Sequence, residues 1–202
     1  MAYVLGFFCA DGSMSKNKRG AHFIEFQITD KDLLEKIRKL LDSDHKITER
    51  ERGERWKTQY RLQIGSKTIF RDLTKLGLTP HKSKTLSLPK MPNKYLSHFT
   101  RGYFDGDGNV NICTYQRKNR LNRLSTVLLS GFTCGSEKFV KALKSHLKKF
   151  AHILGGTLYY SNKAYRLYFS INDSKKLYGF MYKNHNNLCL NRKKIIFEKY
   201  FS

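Results

Sequence analysis

The spacing of apolar and polar residues predicts a chain in which helices and hairpins alternate. Apolar positions recur at helical spacing after Asp30, which favours an amphipathic helix as far as Leu41. Strict alternation over residues 22–28 favours a strand, and it follows a polar, basic stretch with a turn at 18–20. The same two periods predict further helices over 66–76, 136–147, 173–182 and 190–200, and further hairpins that pair 46–51 with 56–64, 109–115 with 123–133, and 155–160 with 165–171.

Two stretches of one pattern divide this order into two repeats. They read YVLGFFCADG at positions 3–12 and FTRGYFDGDG at positions 99–108. Each stretch opens an α-β-β-α-β-β-α unit, and internal repetition fixes an architecture better than propensity does. We therefore predict a mixed α/β (α+β) fold with an N-terminal repeat over 1–88, a linker with two prolines over 89–94, and a C-terminal repeat over 95–202.

Small residues within both stretches predict that two helices cross closely. Gly6 and Ala10 stand four positions apart, as do Gly102 and Gly106, so each pair shares one helix face. A glycine inside a helix costs about 1 kcal/mol relative to alanine, so its presence needs a reason. Close contact between the two backbones supplies that reason.

Each stretch ends in Asp-Gly, which predicts a pair of carboxylates at the crossing. We expect Gly12 and Gly108 to end the helices in the left-handed conformation. Asp11 and Asp107 would then lie at the negative ends of two helix dipoles and near each other, which disfavours their charge. A divalent cation would relieve that cost, because hard cations prefer oxygen ligands. The alternative is that Asp-Gly is only a common turn dipeptide.

The net charge of the chain indicates a partner of opposite charge. Among 202 residues, Lys and Arg number 39 against 16 Asp and Glu, a formal net charge of +23 spread along the whole chain. Such an imbalance favours a polyanionic partner that meets a broad folded surface. The sequence shows no apolar run of membrane-spanning length and no signal peptide, and its four cysteines are scattered. We expect a soluble intracellular protein with reduced thiols and no membrane partner.

The predicted strands carry side chains that suit nucleic acid. Arg, Lys, Asn and Gln reach phosphates and base edges, and their place on strands favours a β-ribbon in the major groove. An ordinary solvated sheet face is the alternative, although it would be expected to carry more acids. The candidate DNA-binding residues are Lys16, Lys18, Arg19, Gln27, Arg50, Arg52, Arg55, Lys57, Gln59, Arg61, Gln63, Asn111, Thr114, Gln116, Arg117, Lys118, Arg120, Arg123, Asn162, Lys163, Arg166 and Tyr168.

Both repeated stretches resemble the LAGLIDADG motif of homing endonucleases. Two copies in one chain resemble the monomeric, pseudo-symmetric branch of that family. The chain departs from the motif at Cys9, where many members carry an acid, and at Arg101, where a small residue is usual. The resemblance implies crossed motif helices at the centre and antiparallel β-ribbons that form a DNA-binding saddle. It is carried by Gly6, Asp11 and Gly12, and by Gly102, Asp107 and Gly108.

The resemblance also implies roles for particular residues. Asp11 and Asp107 would bind metal together with the backbone carbonyls of Ala10 and Gly106, with Mg²⁺ as the cofactor and Ca²⁺ or Mn²⁺ as substitutes. Asp105 is the second choice for an acid. The remaining catalytic candidates are Gln27, which aligns with Thr133 in the other repeat, and Lys82 and Lys193, with Lys84 as second choice; each lysine could equally be a plain phosphate contact.

The expected function is that of a sequence-specific, divalent-metal-dependent endonuclease that cuts double-stranded DNA at a long asymmetric target. It would act as a monomer without a small-molecule cofactor. Two alternatives on the same fold are a maturase that binds intron RNA and a DNA-binding regulator that does not cleave. Both motif aspartates are present, which favours cleavage, and the ends lack the residues that intein splicing requires.

Overall fold

Two halves of the computed structural model repeat one order of elements. The structure describes residues 1–51, 53, 56–117, 123–183 and 187–202. The first half contains α1 (Ala2–Asp11), β1 (Gly12–Lys16), β2 (His22–Ile28), α2 (Lys31–Leu40), β3 (Ile47–Arg50), β4 (Gln59–Gly65) and α3 (Lys67–Lys75). The second contains α4 (Leu96–Asp107), β5 (Gly108–Arg117), β6 (Arg123–Cys134), α5 (Glu137–Ala151), β7 (Thr157–Ser161), β8 (Ala164–Phe169), α6 (Ile171–Tyr182) and α7 (Asn191–Phe201). The predicted mixed α/β fold is confirmed.

Short segments join the halves. Two single 3₁₀ turns, Lys82–Lys84 and Asn93–Tyr95, lie between α3 and α4. The first of these turns takes the place that α7 occupies in the second half, since both follow the third helix of their repeat. In the described ranges, none of the helices combines the length and the apolar character that crossing a bilayer would require.

Each half forms one four-stranded antiparallel sheet. The strand orders are β1-β2-β4-β3 and β5-β6-β8-β7. Alternate residues of each sheet are buried against helices, for example Phe26 and Leu62 in the first and Phe132 and Leu167 in the second. The opposite side of each sheet, which we call the outer face, carries the intervening residues.

The helices α1 and α4 cross at the predicted small-residue positions. A Cβ atom added to Gly6 would lie well inside 3.0 Å of the Phe99 carbonyl, and one added to Gly102 would meet the Tyr3 carbonyl in the same way. A Cβ on Gly106 would overlap that of Ala10. Glycine is therefore required on both helices, because the two backbones touch.

The expected conformation of the glycines that follow the acids is wrong. Gly12 has φ −80° and ψ 153°, and Gly108 has φ −82° and ψ 156°, so both are extended and already belong to strands. What demands glycine there is space. A Cβ on Gly12 would strike the ring of Phe8, and one on Gly108 would strike Phe104. The chain thus passes from helix into strand without a turn, directly after each aspartate.

Candidate active site and DNA interface

The two motif aspartates lie together where α1 and α4 end. A Cβ placed on Gly106 would lie 3.1 Å from Oδ2 of Asp11, so the carboxylate of one helix borders the backbone of the other. Removal of water raises the pKa of Asp11. The pKa of Asp107 rises to about 6, first through burial and then through repulsion from Asp11. The predicted proximity of the two acids is therefore present, with the expected electrostatic cost.

Lys193, in the first turn of α7, brings a positive charge close to the two carboxylates. Its side chain is 8% exposed. The ammonium group lies 2.8 Å from the carbonyl oxygen of Phe104, 2.7 Å from that of Asp105, 3.2 Å from that of Gly106 and 2.6 Å from that of Gly108. These are the carbonyls at the C-terminal end of α4, where a cation complements the helix dipole. The sequence identified this lysine but not its partners.

Lys82 occupies the corresponding position in the first half. Its ammonium donates to the carbonyl of Gly12, which is the counterpart of Gly108. It also lies 5.4 Å from the ring centre of Phe8, as Lys193 lies 5.5 Å from that of Phe104. Pairing of these two lysines across the repeats was predicted, and the geometry places them equivalently.

The buried lysines and the acids influence each other's ionisation. Burial lowers the pKa of Lys193 to about 8 and also lowers that of Lys82. In return, the positive charges of both lysines oppose the rise in the pKa of Asp11 and of Asp107. The site is therefore a four-charge cluster in which two fixed cations favour the ionised form of two carboxylates.

The first departure from the motif is Cys9, and the equivalent residue of the second copy is the acid Asp105. Asp105 is 1% exposed, and its Oδ2 accepts hydrogen bonds from the Tyr3 hydroxyl at 2.6 Å and from the Leu190 backbone N–H at 2.9 Å. It thereby joins α1, α4 and the start of α7. Its equivalent in the first half is the buried Cys9. Asp105 is thus a structural acid that positions α7, not a member of the pair at the crossing.

Arg101 explains the other departure. Although 2% exposed, its guanidinium donates to the carbonyl of Met181 at 2.7 Å and to that of Leu188 at 3.0 Å. It also contacts Nδ1 of His98 at 3.1 Å. The arginine ties the end of α6 and the approach to α7 onto α4. A small residue could not make these bonds, which is why this chain tolerates a buried charge here.

Tyr103 is a site residue that the sequence reasoning missed. Its hydroxyl donates to the carbonyl of Thr133 at 3.1 Å, and Tyr103 also opposes the rise in the pKa of Asp107. The equivalent residue of the first half is Phe7, which has no hydroxyl. A comparison of the two stretches position by position would have exposed this difference.

The outer face of the first sheet is polar. Gln27 lies opposite Arg61, and Glu25 lies opposite Gln63. Glu25 accepts from Arg61 at 2.6 Å and from Gln63 at 3.2 Å, so an acid ties two of the candidate DNA contacts together. Thr48, Arg50 and Gln59 share this face.

The outer face of the second sheet is different. Thr133 lies opposite Arg166, as Gln27 lies opposite Arg61, so the predicted alignment of these two strands holds. Tyr168 stacks on Tyr159 with ring centres 6.1 Å apart and accepts from Asn109 at 2.6 Å. Within the described part of the chain Arg166 makes no ion pair, and its Nε is buried without a partner. Asn162 and Lys163 form the left-handed turn between β7 and β8.

Three predicted DNA contacts lie on the wrong side of their strands. Lys16 has the parity of the buried Met14, and its ammonium lies 5.3 Å from the ring centre of Phe70 on α3. Thr114 and Gln116 share the parity of Val110, so they belong to the helix-covered side, while Asn111 belongs to the outer face. Strand alternation excludes these three from a surface formed by the outer faces.

The other predicted contacts lie at strand ends or outside the described ranges. Lys18 and Arg19 are in the exposed turn after β1, and Lys57 is in the exposed segment before β4. The backbones of Arg117 and Arg123 pair at the far end of the third hairpin. Outside the described residues lie Arg52, Arg55, Lys118 and Arg120.

The donors at the crossing fit a hard divalent cation. Two carboxylates that repel each other offer oxygen ligands, the type such cations prefer. Among the described residues there is no cluster of three or more His, Cys, Asp or Glu side chains that could hold a metal, so further ligands would have to be backbone carbonyls, water or substrate. The Gly106 carbonyl already accepts from Lys193, which leaves one lone pair for a second partner.

Comparison with known proteins agrees with the fold. A family model described as a LAGLIDADG-like domain matches residues 1–76. The LAGLIDADG meganuclease I-AabMI bound to uncleaved DNA superposes with a TM-score of 0.67 at 15% identity, covering 99% of this chain and 88% of that one. The homing endonuclease I-LtrWI bound to target DNA gives 0.65 at 15% identity, covering 99% and 90%. I-SmaMI, bound to uncleaved DNA with calcium ions, gives 0.62 at 14% identity, covering 90% and 83%.

One curated protein is similar over part of the chain. It is the DNA-directed RNA polymerase subunit Rpo1C of Methanocaldococcus jannaschii, 30% identical over 111 residues. The match includes 54% of this chain and 12% of that subunit. Because the aligned part is a small fraction of the polymerase subunit, the subunit's own activity is not carried over. The predicted resemblance to the LAGLIDADG family rests on the family model and on the shared fold.

Proposed function

We propose that this chain is an endonuclease that cuts both strands of duplex DNA at a specific site. The premise is that the chain has the two-domain LAGLIDADG fold and a LAGLIDADG-like domain over residues 1–76. The observation that carries the proposal is the four-charge cluster. Asp11 and Asp107 meet at the helix crossing, directly before the first strand of each sheet, with Lys82 and Lys193 beside them.

DNA would lie across the outer faces of both sheets. The first strand of each sheet begins directly after an aspartate, so a duplex that spans both sheets would pass over the two acids at its centre. The net charge of +23 favours a polyanion. Because a single chain supplies both sheets and both acids, it would act as a monomer on an asymmetric target. Four free cysteines and a DNA substrate favour an intracellular location.

Asp11 and Asp107, with the carbonyls of Ala10 and Gly106, would hold divalent metal, and we propose Mg²⁺. The chemistry that such a cation supplies is activation of water and neutralisation of phosphate charge. Lys82 and Lys193 act through the acids, because their charge favours the carboxylates that a metal requires. They are therefore positioning residues in this proposal. Gln27 and Thr133 occupy equivalent outer-face positions and would contact the DNA near its centre.

A randomised duplex library incubated with the protein and Mg²⁺, followed by sequencing of the ends, tests the proposal. We expect ends that share one sequence and depend on Mg²⁺. Asp11→Asn and Asp107→Asn should each reduce cleavage by about a hundredfold or more, because metal ligation contributes several kcal/mol to the transition state. Binding measured in Ca²⁺ should persist in both variants.

Other outcomes identify the alternatives. Specific duplex binding without cleavage by the unaltered protein would overturn the nuclease and favour a regulator. Preferential binding of structured RNA over duplex DNA would favour a maturase. Full activity in both Asn variants would overturn the metal assignment.

A further inference from the structure

The outer face of the second sheet carries a row of apolar side chains. Cys113 and Val127 are directly opposite each other on β5 and β6, and Leu129 is the next outward residue along β6. Leu129 is 39% exposed, Cys113 is exposed and Val127 is half-buried. Asn111 lies opposite Leu129 and borders the row on the side of the active site. The row lies beyond the end of β8, whose last partner on β6 is Ser130.

The corresponding surface of the first sheet has another character. Its outward residues include Gln27 and the hydrogen-bonded group of Glu25, Arg61 and Gln63, and its one outward apolar residue in the described strands is Phe23. The first hairpin is also shorter, since β1 has five residues and β5 has ten. The two sheets thus present unlike chemistry to a common ligand.

Single exposed apolar residues are ordinary, but this row needs an explanation. Its members are adjacent across two strands, on the side of the sheet away from the core. They stand in a chain of net charge +23, on the face that the proposed function assigns to DNA. An apolar group gains nothing from phosphates, so its partner in DNA has to be an apolar part of a base.

In the major groove, that partner is the C5-methyl group of thymine. It is the one apolar feature that distinguishes the four base pairs there. Cys113 stands six residues beyond Asp107, and Asn111 stands four residues beyond it. At about 3.3 Å per strand residue and about 3.4 Å per base pair, these residues reach about four to six base pairs from the centre of the target.

We propose that the second sheet recognises thymine methyl groups about four to six base pairs from the cleavage centre, through Cys113, Val127 and Leu129. The first sheet reads its half of the target through hydrogen bonds from Arg and Gln. The target is therefore chemically asymmetric, with methyl contact essential in one half only. This inference rests on the proposed function, because it assumes that duplex DNA lies on the outer faces.

Replacement of thymine by deoxyuridine tests the inference directly. Deoxyuridine lacks only the methyl group and keeps the hydrogen-bonding pattern of thymine. The preferred duplex is first obtained by selecting a randomised library for binding in Ca²⁺, so that no cleavage is needed. Deoxyuridine is then placed in one half of the duplex at a time, and the dissociation constant is measured.

We expect a loss of about fourfold in affinity for each contacted methyl group in one half, and less than about twofold in the other half, as for burial of a CH₂ group. Variants assign the sensitive half to the second sheet. In Val127→Gln/Leu129→Gln, the affinity for the thymine duplex should fall and the effect of deoxyuridine should disappear. The matched control is Leu124→Gln, since Leu124 is on the same strand, 76% exposed and on the opposite face. It should retain the full deoxyuridine effect.

The results separate the inference from the function it rests on. If the protein selects a duplex but deoxyuridine changes affinity in neither half, the methyl contact is wrong and the nuclease proposal stands. The inference is also wrong if the Leu124 variant loses the effect and the double variant keeps it. If no duplex is selected at all, the proposed function itself fails. Melting temperatures near that of the unaltered protein show that the variants are folded.

Discussion

The two halves use one arrangement of acid and lysine, but they support it unequally. In the first half, Lys82 lies on a single 3₁₀ turn and donates to one helix-end carbonyl. In the second, Lys193 lies on the eleven-residue helix α7 and is within reach of four. The positions that the proposed chemistry needs are duplicated, while the elements that deliver them are not. A pseudo-symmetric site can therefore be strong on one side and weakly held on the other.

The same inequality extends to the carboxylates. Tyr103 opposes the rise in the pKa of Asp107, which stands two residues from Asp105, whereas the first half has Phe7 and Cys9 at the corresponding positions before Asp11. The pKa of Asp107 rises to about 6 because burial and the charge of Asp11 both oppose its ionisation. The two halves therefore make equivalent backbone contacts at the helix crossing but surround their acids with different charges and hydrogen bonds. Variants can test the contacts and the electrostatics separately.

The largest effect is expected where the halves are alike. Gly6→Ala and Gly102→Ala should each lower the free energy of unfolding by about 3 kcal/mol, at the upper end of overpacking costs, because each new Cβ would strike the other helix's backbone. Chemical denaturation measures this. Gly179→Ala on α6 is the control, since its Cβ would meet nothing within 4 Å and should stabilise by up to about 1 kcal/mol. If either crossing variant kept the free energy of unfolding of the unaltered protein, the two glycines would not be equivalent in the helix contact.

The lysines should show the inequality in stability. Lys193→Met should cost about 2 kcal/mol, because it leaves buried carbonyls without their charged donor, and Lys82→Met should cost about half as much. The neighbouring Lys194→Met is the control, since it removes only the helical pair with Glu198, worth about 0.3 kcal/mol. Equal losses at positions 82 and 193 would show that the number of carbonyl partners does not matter.

Dependence on pH should distinguish the two acids. A carboxyl whose pKa is 3.8 when unfolded and about 6 when folded binds more protons in the folded state, so stability falls as pH rises through that window. Asp107→Asn removes this term. Without added metal, the variant should match the unaltered protein near pH 4 and exceed it in melting temperature above pH 6. The exposed Asp44→Asn serves as the matched control, and a difference at position 107 that stays constant across pH would refute the assignment.

The smallest effect concerns the two outer faces. Arg166 has no ion pair in the described part of the chain, whereas Arg61 is held by Glu25. Arg166→Ala should reduce the salt dependence of DNA binding by a slope of about 0.9, and Glu25→Gln should steepen it by releasing Arg61. Arg71→Ala, on the helix side, serves as the control. Titrations of binding in Ca²⁺ at several salt concentrations measure the slopes, and a change of like sign in both variants would contradict this difference between the sheets.

The sequence was sufficient for the features that repeat. Two copies of one motif predicted the repeated αββαββα order, and small residues four apart predicted the helix crossing at Gly6 and Gly102, which the structure confirms. These succeed because periodicity and the absence of a side chain are local properties that one chain displays. Gly12 shows the limit of prediction from the sequence. Glycine is required there because a side chain would strike Phe8, and not because the backbone makes a turn.

What could not be predicted depends on register and on distant partners. Thr114 and Gln116 have the same parity as Val110 and therefore lie on the helix-covered side of the sheet, not on the predicted DNA-binding face. Strand alternation could have revealed this once one buried residue of β5 was known. The partners of Lys193 and Arg101 lie far away along the chain and meet them only through the fold. No pattern within α4 or α7 specifies those contacts.

The bond between Tyr3 and Asp105 bears on how such proteins could be rebuilt from parts. Position 99, the counterpart of Tyr3, is Phe99, and the counterpart of Asp105 is Cys9. A symmetric dimer assembled from two copies of the second half would place Phe99 where the hydroxyl donor is needed and would bury two carboxylates that have each lost a partner. A chimera that joins this second half to a foreign first half must therefore import a tyrosine at position 3, or replace the acid, before its new specificity can be tested.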